Sequence, residues 1–125
     1  MIAVVDASAL AALTFNEPAA AEIRDRLVNR QLVAPRLLSY ELLNTAAKKI
    51  RRHPAQAAAI RAGVERVLAE DFAIYWSDVE PAPVLDLALE TGHTAYDASY
   101  LWLARHLDAE LVTLDAELAG AARRV

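Results

Sequence analysis

Two short apolar runs in this chain each end in an aspartate. Ile2–Val5 is followed by Asp6, and Leu111-Val112-Thr113-Leu114 is followed by Asp115. If both runs are parallel strands, both aspartates stand at the carboxyl edge of one sheet, where open α/β sheets place their ligands. A second reading is that each Asp only caps the helix that follows it. Asp97 raises the same choice. Thr94-Ala95-Tyr96-Asp97 has the spacing of a capping box, yet the helical neighbours of Asp97 at i+3, i+4 and i+7 are Tyr100, Leu101 and Ala104. Asp97 therefore heads the apolar stripe that faces the sheet. An inward carboxylate needs a partner, because an unpaired buried charge is costly, and a metal ion would supply one. Glu41 shares a helix face with Asn44, Lys48, Arg51 and Arg52, so on its own helix it also reads as part of a solvated face.

Weaker candidates surround these four. Ser8 and Thr113 lie beside Asp6 and Asp115 and are placed to hold them by hydrogen bonds, or simply to pack. Glu17 and Glu117 read either as extra acids or as helix-end charges. Lys48-Lys49-Ile50-Arg51-Arg52-His53 is the densest basic run; it is either solvent-facing decoration or a contact for a polyanion. His53, His93 and His106 show no metal-ligand spacing, and Trp76 and Trp102 read as core or interface residues.

The elements that must position these residues follow from periodicity. Ile2–Val5, Leu32–Ala34, residues 72–76 and Leu111–Leu114 read as strands. Helices are expected over Ala7–Leu13, Ala19–Asn29 (with Pro18 near its first position), Leu37–Arg52, from Pro54 to about Glu70, over Pro81–Thr91 (closed by Gly92), from Thr94 to about Leu107, and after Asp115. Strands alternating with helices imply one α/β domain over residues 1–125, with a parallel sheet covered on both faces. The Ala- and Leu-rich stretches Ala7–Leu13 and Ala19–Leu27 are expected either to pack tightly or to leave an apolar surface for a partner.

Composition narrows the chemistry. The chain has no cysteine, which removes disulfides, thiol catalysis and cysteine-based metal sites and fits a reducing, cytoplasmic setting. Glycine occurs only at 63, 92 and 120, so there is no glycine-rich phosphate loop. The apolar start lacks the basic flank of a signal peptide and is interrupted by Asp6. No apolar run approaches a membrane helix. With 13 Lys and Arg against 17 Asp and Glu the net charge is −4. That balance is unlike a general nucleic-acid binder, and it suits an acidic site that needs cations before a phosphate approaches.

Four segments then resemble one family. Val4-Val5-Asp6-Ala7-Ser8-Ala9-Leu10, Ser39-Tyr40-Glu41-Leu42-Leu43-Asn44, Thr94-Ala95-Tyr96-Asp97-Ala98-Ser99-Tyr100 and Leu111-Val112-Thr113-Leu114-Asp115 occur in the order and spacing of VapC-type PIN domains, the ribonuclease toxins of VapBC toxin–antitoxin pairs. The resemblance implies a three-layer PIN-like α/β fold with a central parallel sheet flanked by helices. It implies that Asp6, Glu41, Asp97 and Asp115 converge as a catalytic quartet binding Mg²⁺ or Mn²⁺. It also implies RNA as substrate, a VapB-like antitoxin as partner, and a homodimer. Lys48, Arg51 and Arg52 would then guide RNA toward Glu41. Two alternatives stay open: a non-catalytic PIN-fold interaction module, and a phosphatase or phosphotransfer domain. Against the latter, the second aspartate of haloacid-dehalogenase enzymes is replaced by Ser8. A receiver domain's late lysine is also missing, since the only lysines are Lys48 and Lys49.

Overall fold

The computed structural model describes residues 1–71 and 73–123. Four strands, β1 (Ile2–Val5), β2 (Gln31–Pro35), β3 (Tyr75–Ser77) and β4 (Glu110–Val112), form one sheet in the order β3-β2-β1-β4. Every pairing is parallel, with Val4 opposite both Val33 and Leu111. Among the described residues the α-helices are α1 (Ala7–Thr14), α2 (Ala20–Leu27), α3 (Leu37–Arg52), α4 (Ala57–Arg66), α5 (Pro81–Thr91), α6 (Ala95–His106) and α7 (Ala116–Arg123). Ala3, Val4 and Val5 have no exposed surface although neighbouring strand residues point to opposite faces. Both faces of β1 are therefore covered, and its uninterrupted apolar run is the pattern of a central parallel strand. The expected α/β architecture with a parallel sheet between helices is what the chain adopts.

Each helix has a local cause. On α3, Leu38, Leu42 and Ala46 recur every four residues and are buried, while Lys49, Arg51 and Arg52 in its last turn complement the helix dipole. Asp6 caps α1 by accepting from the Ala9 N–H at 3.0 Å. Thr94 caps α6 by accepting from the Asp97 N–H at 3.1 Å. Pro81 opens α5, and Gly92, with φ of 74°, closes it in the left-handed region. At Gly63 a Cβ would lie 3.1 Å from the Thr14 carbonyl oxygen, so the glycine lets α4 meet the end of α1.

The helix expected from Pro54 is divided. Pro54–Gln56 is a 3-10 turn, α4 follows, and Val67–Asp71 is a π-helical turn. The expected strand over residues 72–76 lies three residues later, at Tyr75–Ser77; Phe72 is outside the described residues. β4 ends at Val112 rather than Leu114, which turns Thr113 out of the ladder toward Asp6.

Of the two readings of the N-terminal helices, tight packing is the one the fold adopts. Ala9, Leu10, Ala11 and Ala12 of α1 and Ala20, Ile23 and Leu27 of α2 are all buried. Their small side chains let helices pack closely, and close packing wins. Exposed large apolar residues lie elsewhere, at Leu43 on α3 and at Leu85 and Leu89 one turn apart on α5.

Gly92 is the joint between α5 and the helix that carries Asp97. Gly92→Ala should lower stability by ~1 kcal/mol, because a Cβ is disfavoured in the left-handed region. Gly92→Asn should lose less. Urea titration should show a reduced midpoint at unchanged slope; an unchanged midpoint for Gly92→Ala contradicts this assignment.

Candidate active site

Asp6 is the most enclosed acid, with 6% of its surface exposed. It leaves the end of β1 and its backbone N–H still donates to the Val112 carbonyl of β4, at 3.2 Å. Its Oδ1 accepts from the Ser8 hydroxyl at 2.7 Å and from the Ala9 N–H at 3.0 Å. Its Oδ2 accepts from the Thr113 hydroxyl at 2.5 Å. Thr113 Oγ1 in turn accepts from the Asp115 N–H at 3.0 Å, and Ser8 Oγ accepts from the Leu114 N–H at 3.0 Å. Ser8 and Thr113 thus tie the end of β1 to the segment after β4. Asp115 caps α7, with Oδ1 accepting from the Leu118 N–H at 3.1 Å. The capping reading was therefore correct for both aspartates, and it does not exclude a second role. A cap uses one carboxylate oxygen and fixes where the other points.

Glu41 is half-buried in the first turns of α3. Its Oε1 accepts from the Tyr100 hydroxyl at 2.5 Å. Tyr100 is 1% exposed on α6, one turn beyond Asp97. This bond clamps α3 to α6 and draws Glu41 inward, away from the solvated face its own helix suggested. Tyr100 was missed as a site residue because at i+3 from Asp97 it reads simply as part of the apolar stripe. The signal available was its hydroxyl, since a buried tyrosine oxygen needs a partner. Asp97 stands at the start of α6 with its side chain 37% exposed, and its Oδ2 is 3.9 Å from Nδ1 of His93. His93 has only 13% of its side chain exposed. Sequence spacing had set His93 aside; the four-residue step to Asp97 brings the two together across a helix start.

Burial comes first in setting the electrostatics. Desolvation holds Asp6 above the usual carboxylate range, although its three hydrogen bonds act the other way, and Asp115 raises it further. Desolvation likewise raises Glu41, against the Tyr100 bond, with Asp97 and Asp6 adding to it. Asp97 is raised by burial, then by Asp115, Asp6 and Glu117, with His93 opposing. Burial and the bond to Glu41 push the Tyr100 hydroxyl upward, so it stays a donor. The structure thus brings Asp6 and Asp97 within electrostatic reach of each other and of both Glu41 and Asp115, with Glu117 acting on Asp97.

The other predicted residues are placed differently. Glu17 is not in this cluster; it pairs with Lys49 at 3.2 Å. Lys48, Arg51 and Arg52 lie seven to eleven residues beyond Glu41, roughly 10–16 Å along the helix. Lys48, Arg51 and Arg52 are all exposed, and Arg51 also lines the apolar groove between α3 and α4 with Leu43, Ala47 and Ile50. Trp102 stacks on His106, with ring centroids 4.6 Å apart. Among the described residues, no three His, Asp or Glu side chains are drawn close enough to chelate an ion unaided.

Fold and site together define a class: a small parallel α/β domain with a carboxylate cluster at the carboxyl edge of its sheet. The chain belongs to the PIN domain family, whose profile matches residues 3–124. PIN domains are in general nucleases. Among solved structures, the chain is similar to PAE2754 from Pyrobaculum aerophilum, with 30% identity and a TM-score of 0.79, covering 98% of this chain and 86% of that one. It also shares its fold with VapC20 from Mycobacterium tuberculosis, a sarcin-ricin loop cleaving toxin, at 15% identity and a TM-score of 0.66, covering 95% of this chain and 94% of that one. Among curated proteins, no significant sequence match is found.

The raised acids give a signed pH dependence for the metal-free fold. A carboxyl whose folded pKa lies above its unfolded value binds its proton more tightly when folded. Its contribution is present at low pH and is lost as pH rises through the raised value. In EDTA, thermal stability should therefore fall as pH rises above the ordinary carboxylate range, about pH 4. Asp97→Asn should flatten that fall and be more stable than the parent at pH 7. A steeper fall in the variant contradicts the repulsion described above.

Proposed function

We propose that the chain is a Mg²⁺- or Mn²⁺-dependent endoribonuclease, the toxin of a type II toxin–antitoxin pair of the VapC kind. Asp6, Glu41, Asp97 and Asp115 are its catalytic and metal-binding residues. The observation that carries this reading is the electrostatic state of the cluster. Asp6, Glu41 and Asp97 are raised by burial and by neighbouring carboxylates, and apart from His93 every charge acting on Asp97 is a carboxylate. Such a cluster has strong reason to take up a cation.

The donor set suits a hard divalent ion. Carboxylate oxygens are the ligands Mg²⁺ prefers, and it binds through one or two of them while keeping several waters. That preference matches acids that adjoin without closing a cage. Asp97 and Asp115 would offer carboxylate oxygens to such an ion, while Asp6 is oriented by Ser8, Ala9 and Thr113 and Glu41 by Tyr100. When bound, a divalent ion lets the acidic edge accept a phosphodiester, lowers the pKa of a water and offsets charge developing on the phosphate. The residues of the chain supply orientation, since their hydrogen bonds are formed before substrate arrives.

The toxin assignment draws on the shared fold with VapC20 and on the four motifs. It carries an antitoxin partner with it. The apolar groove between α3 and α4, about 390 Å³ and lined by Leu43, Ala46, Ala47, Ile50 and Val64, suits an amphipathic helix. Leu85 and Leu89 on α5 are the exposed pair that a second copy would cover in a homodimer. Lys48 and Arg52 continue the Glu41 face and would hold an RNA backbone by salt-dependent contacts. No described helix is long and apolar enough to cross a membrane; a cytoplasmic setting is part of this proposal.

The test is cleavage of mixed cellular RNA with Mg²⁺ or Mn²⁺. Asp6→Asn and Asp97→Asn should each reduce the rate by about a hundredfold or more, with circular dichroism unchanged. EDTA should abolish cleavage by the parent protein. Expression alone should arrest growth of the host, and co-expression with the neighbouring reading frame should restore it. Full activity in EDTA sinks the mechanism, and a harmless but folded and metal-bound protein sinks the toxin assignment.

A further inference from the structure

A second concavity lies at the start of α3, the helix that carries Glu41. It has a volume of about 320 Å³ and is lined by Arg36, Ser39, Tyr40, Leu68 and Trp76. Its position follows from the elements that build the acidic cluster. Arg36 leaves the end of β2, and Ser39 and Tyr40 lie in the first turn of α3, immediately before Glu41. Trp76 is on β3, paired with Ala34 of β2. β3 is two strands from β1, so the floor of the cavity is about 10 Å across the sheet from the strand that carries Asp6. A strand of nucleic acid whose phosphate lies at the carboxylates has its next base within reach of this cavity.

The lining has the chemistry of a base subsite. Tyr40 is 74% exposed, while Trp76 is half-buried and packed on the core, so one ring is free and the other is anchored. Flat aromatic faces bind unpaired bases by stacking, whatever the base. Arg36 adds selectivity. Its Nε donates to Asp78 at 3.0 Å, which sets the direction of the guanidinium fork. Among the described residues its terminal nitrogens make no hydrogen bond. The ion pair itself is exposed on both sides and contributes little to stability. An arginine fork matches the O6 and N7 acceptors of guanine better than the edge of any other base.

We propose that this cavity binds an unpaired nucleobase of the RNA substrate, flanking the scissile phosphate, stacked on Tyr40 and Trp76 with Arg36 selecting guanine. The proposal rests on the nuclease reading above and deepens it. Tyr40 and Arg36 are specificity-determining residues, and the substrate is single-stranded or looped at the cut.

The experiment uses the full chain carrying Asp6→Asn, so that RNA stays uncut. The probes are fluorescein-labelled oligoribonucleotides: oligouridine, oligouridine with one central guanosine, and a duplex, all with Mg²⁺. Tyr40→Ala should weaken binding of both single strands about tenfold, and Tyr40→Phe should restore it. Arg36→Gln should abolish the preference for the guanosine strand, weakening that strand more than oligouridine. With Trp102→Phe added, the remaining tryptophan should be quenched by the guanosine strand and not by the duplex. Equal affinities for the parent and Tyr40→Ala, a guanosine preference that survives Arg36→Gln, or no quenching of Trp76 each overturns the proposal. Cleavage by the unsubstituted chain is measured separately. Tyr40-dependent binding without cleavage keeps the subsite and removes the nuclease reading; cleavage whose flanking-base preference ignores Tyr40 and Arg36 does the reverse.

Discussion

Carboxylates that repel one another have been brought to one edge of a sheet, and most of the local structure exists to hold them there. Asp6 is nearly enclosed, and three hydrogen bonds from Ser8, Ala9 and Thr113 are not enough to offset its burial. Glu41 is in the same position, with a single strong donor in Tyr100. Such an arrangement works against the metal-free fold. It persists because the elements bearing these acids are fixed by a well-packed core, so the site cannot relax without disrupting that core.

The core explains why the acids meet. A parallel sheet points all its strands the same way, so residues just after β1 and β4 share an edge. Helices that leave that edge begin there, which puts the first turn of α3 beside the strand ends. Tyr100 then reaches from α6 to Glu41 on α3 and ties together the two helices that carry the remaining acids. The same directionality sets the neighbouring cavity: β2, β3 and the start of α3 supply its walls because they end or begin at that edge.

Capping and chemistry are combined in the same residues. Asp6 and Asp115 each satisfy an orphan N–H at a helix start, and Thr94 does so for α6. A cap fixes a side chain by local geometry without a long-range contact, so the acids are oriented partly by their own helices. This also accounts for the tension in a sequence reading, where a cap and a ligand look alike.

The sequence by itself determined the element order, the parallel sheet and the positions of Asp6 and Asp115. Those follow from local periodicity, from Pro81 and Gly92 as punctuation, and from aspartates placed directly after apolar runs. Asp97 was legible because a carboxylate heading an apolar stripe contradicts its surroundings. Only the tertiary structure decided the rest. Glu41 looked solvated until Tyr100, 59 residues away, bonded it. His93 had no metal-ligand spacing until the α5–α6 turn set it against Asp97. Arg51, exposed like Lys48 and Arg52, also lines an apolar groove that forms only when α3 meets α4. The alanines of α1 and α2 were ambiguous between packing and interface, because their composition is the same for both. In each case the deciding partner lies on another element, and periodicity carries no information about which elements will face each other.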